Sequence, residues 1–78
     1  MVKIKFYGKL REMFGEELEI EDEIESIEEL ANFLMKKDAR IKNLKEHLIF
    51  SRENKQILLK EKIVKGDEIS VFLPPTGG

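Results

Sequence analysis

One stretch of this chain can only be an amphipathic helix, and the rest of the sequence has to be arranged to cover it. From Ile27 to Lys37 the apolar residues Ile27, Leu30, Ala31 and Leu34 fall at helical spacing and make a single stripe. Ser26 followed by Glu29 is a capping box, in which hydroxyl and carboxylate satisfy backbone donors at the helix start. Glu28 and Glu29 stand at the positive end of the helix dipole, and Lys36 and Lys37 at the negative end. A helix this short does not persist alone in water, so its stripe must be buried against something else.

The flanking segments supply a sheet. Val2, Ile4 and Phe6 alternate with Lys3, Lys5 and Tyr7, which is the pattern of a half-buried strand over Val2 to Tyr7. Leu10, Met13 and Phe14 then recur at one-turn spacing and close on Gly15 as a short helical turn. Leu18 and Ile20, set among glutamates, make a second strand. After the helix, Asp38 to Glu46 reads as a helical or irregular connector with Ile41 and Leu44 turned inward. His47 to Ser51 and Gln56 to Leu59 read as short strands around the polar turn Arg52-Glu53-Asn54-Lys55. Lys65-Gly66-Asp67-Glu68 is a further turn. The last strand runs from Glu68 to Leu73, until Pro74-Pro75 removes two backbone donors. This order predicts an α+β fold of the β-grasp, ubiquitin-like type: a mixed sheet of about four to five strands with one main helix across it. Residues 1–73 form the domain and 74–78 an extended tail.

Size and composition exclude most activities. Seventy-eight residues make one small domain with no room for a deep catalytic cleft as well as a core, so the chain is expected to work with partners rather than as an enzyme alone. The absence of cysteine rules out a disulfide framework, a thiolate metal site and a thiol nucleophile. His47, the single histidine, is too little for a metal cage, so neither a metal site nor a bound cofactor is expected. Nine acidic and no basic residues lie between Glu16 and Glu29, while Lys36 to Lys65 carries ten basic and four acidic ones. With a pI near 5.5 and no aromatics among the lysines, nucleic acid is a poor partner. The charged, alternating start Met1-Val2-Lys3-Ile4-Lys5 is neither a signal peptide nor a membrane span, and a cytoplasmic protein is expected. A charged fraction of 38%, mostly Glu and Lys, resembles the composition of thermophilic proteins.

The chain ends on Gly77-Gly78. Such an ending is ordinarily a frayed terminus, but two residues without a Cβ can also be threaded into a channel too narrow for side chains. Three features favour threading. The core closes by Leu73, Pro74-Pro75 hold the tail extended, and a protein without cysteine that handled sulfur would need another handle, which a terminal acyl group provides.

Three stretches together resemble the MoaD/ThiS sulfur carriers, and among them the small subunits of molybdopterin synthase. They are Phe6-Tyr7-Gly8-Lys9-Leu10-Arg11-Glu12-Met13-Phe14-Gly15, then Gly66-Asp67-Glu68-Ile69-Ser70-Val71-Phe72, then Pro74-Pro75-Thr76-Gly77-Gly78. The proline pair is more typical of the molybdopterin branch than of the thiazole branch, although Leu73 stands where relatives commonly have the first proline. The resemblance implies that Gly78 is adenylated by an ATP-dependent activating adenylyltransferase. A sulfur donor enzyme then converts it to a thiocarboxylate, and the tail enters the large subunit of the synthase to build the dithiolene of the molybdenum or tungsten cofactor. ATP would be used by the activating partner, not held by this chain. Gly77, Thr76, Pro75 and Pro74 would thread into the partner.

Docking also needs a surface. Tyr7 and Phe72 lie opposite the apolar residues of their strands and are candidates for an exposed aromatic patch, with Ile57 joining them; the alternative is that they fill a small satellite core. The same adenylate would equally serve a ubiquitin-like modifier joined through Gly78 to lysine amines. Nothing in the sequence separates the two uses. A thiazole-synthesis carrier is a further alternative.

Overall fold

The computed structural model describes residues 1–74. Helix α2, Ile27–Lys37, lies across one face of a five-stranded sheet with strand order β2-β1-β5-β3-β4. Its strands are β1 (Val2–Phe6), β2 (Glu17–Ile20), β3 (Ile49–Arg52), β4 (Lys55–Ile57) and β5 (Glu68–Phe72). β1 and β5 are parallel and central, with Ile4 opposite Ile69 and Phe6 opposite Val71; the remaining pairings are antiparallel. A short helix α1, Lys9–Phe14, and a 3-10 helix, Ala39–His47, are the other elements among the described residues. This is the β-grasp layout the order of elements implies.

Each expected apolar residue of α2 is buried: Ile27, Leu30, Ala31 and Leu34 face Val2, Ile4, Phe6, Ile20, Phe50, Ile69 and Val71 of the sheet. Leu10 of α1, Ile41 of the 3-10 helix and the loop residues Ile24 and Ile63 close the margins. The Ser26 hydroxyl accepts from the Glu29 backbone N–H at 3.2 Å, as the capping box requires.

The boundaries differ from the sequence reading in physically simple ways. β3 starts at Ile49 rather than His47, because the 3-10 helix continues through His47 and the Leu48 N–H donates back to the Lys45 carbonyl. The β3–β4 turn is two residues long, not four. Glu53 and Asn54 both take positive φ, 53° and 65°, the mirror-image turn whose twist suits a hairpin, so Arg52 pairs directly with Lys55. β4 therefore begins earlier and ends at Ile57, leaving Leu58 and Leu59 exposed. β1 and β5 each end one residue sooner than expected, at Phe6 and Phe72.

A long crossover, residues 58–67, returns the chain to the sheet centre, and Arg52 ties it down. One guanidinium nitrogen donates to the Lys62 carbonyl at 3.1 Å and to the Asp67 carboxylate at 2.9 Å, and the other to Glu61 at 2.9 Å. Asp67 also accepts from the Val64 backbone N–H at 2.9 Å, clamping the turn in which Gly66 takes φ 90°. Asp67 is largely buried whereas Glu61 is exposed, so the Asp67 arm contributes most. Arg52→Met should lower unfolding free energy by about 2 kcal/mol, read from urea melts; a change under about 0.5 kcal/mol would show the clasp to be incidental.

At the junction of α2 and the 3-10 helix, Asp38 accepts from the Arg40 backbone N–H at 3.0 Å and pairs with its guanidinium. These hydrogen bonds hold the Asp38 carboxyl below its ordinary 3.8. The folded state thus binds this proton less readily than the unfolded chain, and the resulting stability is present above 3.8 and lost as the pH falls further. The difference in thermal midpoint between wild type and Asp38→Asn should accordingly shrink as the pH is lowered through the carboxylate range.

Candidate functional site

The alternation of β5 sends Ile69 and Val71 into the core and Ser70 and Phe72 to the open face of the sheet. Phe6 lies beside Val71 in the parallel register, so the next residue along each strand brings Tyr7 beside Phe72. Their rings meet edge to face, with centroids 6.3 Å apart and planes at 81°. Tyr7 is 48% exposed. On the other side of β5, Ile49 stands opposite Phe72, Ser51 opposite Ser70, and Gln56 opposite Ser51. Together with Asn54 these residues line one open depression.

The open face is thereby divided. The half toward β2 is charged and internally paired, with Lys3 3.7 Å from Glu17 and Lys5 3.8 Å from Glu68. The half toward β4 holds two aromatic rings and Ile49 ringed by hydroxyls and amides, and among the described residues no charged side chain lines it. An uncharged, partly aromatic surface of this kind loses little on dehydration, which suits it to docking. Among the described residues no imidazole or carboxylate lines the depression beside its hydroxyls. Among the described residues no group of three or more His, Cys, Asp or Glu is placed to hold a metal ion, and no helix is long and apolar enough to cross a membrane.

Of the expected docking residues, the structure brings Tyr7 and Phe72 together but not Ile57. Ile57 pairs directly with Phe50, which is buried, so its side chain is on the core face of the sheet, half-buried against the core. Ile49 occupies the place beside Phe72 instead. The signal for Ile49 was present in the sequence: in β3 it alternates with Phe50, and the larger aromatic claims the core. Pro74 is half-buried, and β5 delivers the chain to it from the edge of this patch. Pro75, Thr76, Gly77 and Gly78 lie outside the described residues.

Residues 4–78 match the ThiS family. The chain belongs to that family, the ThiS/MoaD group of ubiquitin-like sulfur carriers. Small carriers of the ThiS family are not themselves catalytic, and membership implies activating-enzyme and synthase partners in general. Among solved structures, SAMP1 from Haloferax volcanii shares the fold, with a TM-score of 0.73 at 19% identity over 99% of this chain and 98% of that one. No curated protein matches the chain.

The division of the sheet into a core face and an open face has a direct consequence for stability. Ile57→Ala should destabilise the fold by about 1–2 kcal/mol in denaturant melts, since it empties part of a packed site. Tyr7→Ala should change stability by no more than about 0.5 kcal/mol, as expected of a largely exposed side chain away from the core. Equal losses at the two positions would contradict this assignment.

Proposed function

We propose that this ThiS-family chain is the small, sulfur-carrying subunit of a molybdopterin synthase, in which residues 1–73 are the handle and 74–78 the working tail. The observation that carries the reading is that the family match extends through Gly77-Gly78, while the uncharged patch of Tyr7, Ile49 and Phe72 surrounds the end of β5, the strand that leads into that tail. A partner gripping the patch would have the tail directed toward its own site. Pro74-Pro75 supports the molybdopterin branch, of which a proline pair is more typical than of the thiazole branch, and two successive prolines lessen the entropy lost when a tail is threaded.

The chemistry falls on the carboxylate of Gly78. One of its oxygens attacks the α-phosphorus of ATP on the activating enzyme, pyrophosphate leaves, and an acyl-adenylate forms. A sulfide-level sulfur nucleophile delivered by the donor enzyme then attacks the acyl carbon, the carbon–oxygen bond to AMP breaks, and a thiocarboxylate remains. In the synthase that sulfur passes to the pterin precursor, and water restores the carboxylate. A dithiolene needs two sulfurs, hence two loaded carriers. Gly77 and Gly78 are suited to the narrow channel because neither has a Cβ to collide with its walls, and Thr76 is a spacer.

Intact-mass measurement after incubation with ATP, an activating enzyme and sulfide should show one oxygen exchanged for one sulfur, and deletion of Gly78 should abolish the exchange without altering the fold. No exchange with any cognate activating enzyme would sink the proposal. Adducts on lysine side chains in place of the exchange would move the chain to the modifier class. Tyr7→Ala and Phe72→Ala should each weaken binding of a molybdopterin-synthase-type large subunit by about tenfold, measured by calorimetry, as for aromatic anchors in other interfaces.

A further inference from the structure

The sheet ladder on β5 ends at Phe72, which is opposite Ile49. On the other side the parallel ladder ends with Val71 beside Phe6, followed by a hydrogen bond of 3.3 Å from the Tyr7 N–H to the Val71 carbonyl. Leu73 and Pro74 have no partner in either ladder. A segment that leaves a ladder at the end of a domain ordinarily frays from the first unpaired residue. Leu73 nevertheless remains half-buried and packed against the core. It continues the inward alternation of Ile69 and Val71 one step past the last strand bond, so that apolar burial does what hydrogen bonding no longer does.

We infer that Leu73 is a positioning residue for the chemistry at Gly78: its side chain is the anchor that fixes where and in which direction the tail leaves the body. The inference rests on the reading of Gly78 as the reactive group. Leu73 itself touches neither ATP nor the reacting carboxylate. From an anchored Leu73, residues 74–78 reach at most about 18 Å when fully extended, since each residue spans no more than about 3.6 Å. An active site gripping the Tyr7–Phe72 patch has the carboxylate within that radius. Without the anchor the chain is free beyond Phe72, and the orientation of the tail has to be imposed by the partner on docking, which costs entropy at that step. The acyl transfer itself, once the carboxylate is seated, is unchanged.

This predicts a loss confined to binding. With the cognate activating enzyme and pyrophosphate release as the assay, Leu73→Ala should raise the KM for the carrier about three- to tenfold while kcat stays within about twofold. Leu73→Met, which keeps the apolar reach, should behave as wild type. A direct contact between Leu73 and the enzyme would also raise KM, so the free protein is measured as well. The backbone amide of residue 73 should be rigid on the picosecond–nanosecond scale in wild type and Leu73→Met, and mobile in Leu73→Ala, by 15N heteronuclear relaxation. Should the alanine variant unfold, Leu73→Val tests the same direction with a smaller step. An unchanged KM in Leu73→Ala, or a residue-73 amide as mobile in wild type as in the variant, overturns the anchor. A wild-type protein that is not adenylated at all overturns the reading of Gly78 instead, and the relaxation measurement still decides the anchor.

Discussion

The parallel pairing of β1 with β5 is the constraint on which the rest of the molecule depends. It places the first and last strands of the chain side by side in the centre of the sheet, with Ile4 against Ile69 and Phe6 against Val71. Every other strand is then an addition to one flank or the other. Because side chains alternate along a strand, a slip of one residue in β5 would bury Ser70 and Phe72 and expose Ile69 and Val71. The same slip would abolish the aromatic patch and turn Leu73 away from the core. The core, the uncharged open face and the placement of Leu73 are therefore set by one register, and that register is held by the insertion of Ile69 and Val71, both fully buried, under α2.

The pairing is also non-local. It joins residues separated by most of the chain, so its loop-closure entropy must be offset by contacts that form only when the crossover of residues 58–67 is in place. The Arg52 clasp serves this end. It bonds one strand to the crossover's last turns, at Lys62, Glu61 and Asp67, immediately before β5 begins. Its position is instructive, because the clasp and the tail lie at opposite ends of β5. The structure keeps its polar fastening away from the uncharged face where a partner would dock.

Much of this was legible in the amino-acid order, for reasons that can be named. α2 could be delimited to the residue because its cap, its stripe and its terminal charges agree. β1 and β5 were readable because each alternates over five residues. β4 was legible as a strand but not in its bounds, since three residues are too few to show a period. Ile57 was assigned to the open face, yet its facing is fixed by Phe50 across the hairpin, and that pairing depends on a turn of Glu53 and Asn54 without a glycine to announce it. The Arg52 network joins residues 9 to 15 apart, a separation at which a single sequence offers no pairing signal. Ile49 carries no aromatic ring to mark it in the sequence, and its place on the open face follows from sitting opposite Phe72.

The central claim is that the folded body is a handle and that the reactive group is the carboxylate of Gly78. The most direct measurement is mass spectrometry of the C-terminal peptide from the protein isolated from its own cells during active cofactor synthesis. The account predicts that a fraction of this peptide ends at Gly78 with sulfur in place of one carboxylate oxygen. A peptide that is found only as the plain carboxylate, or only joined to lysine side chains of other proteins, would contradict it.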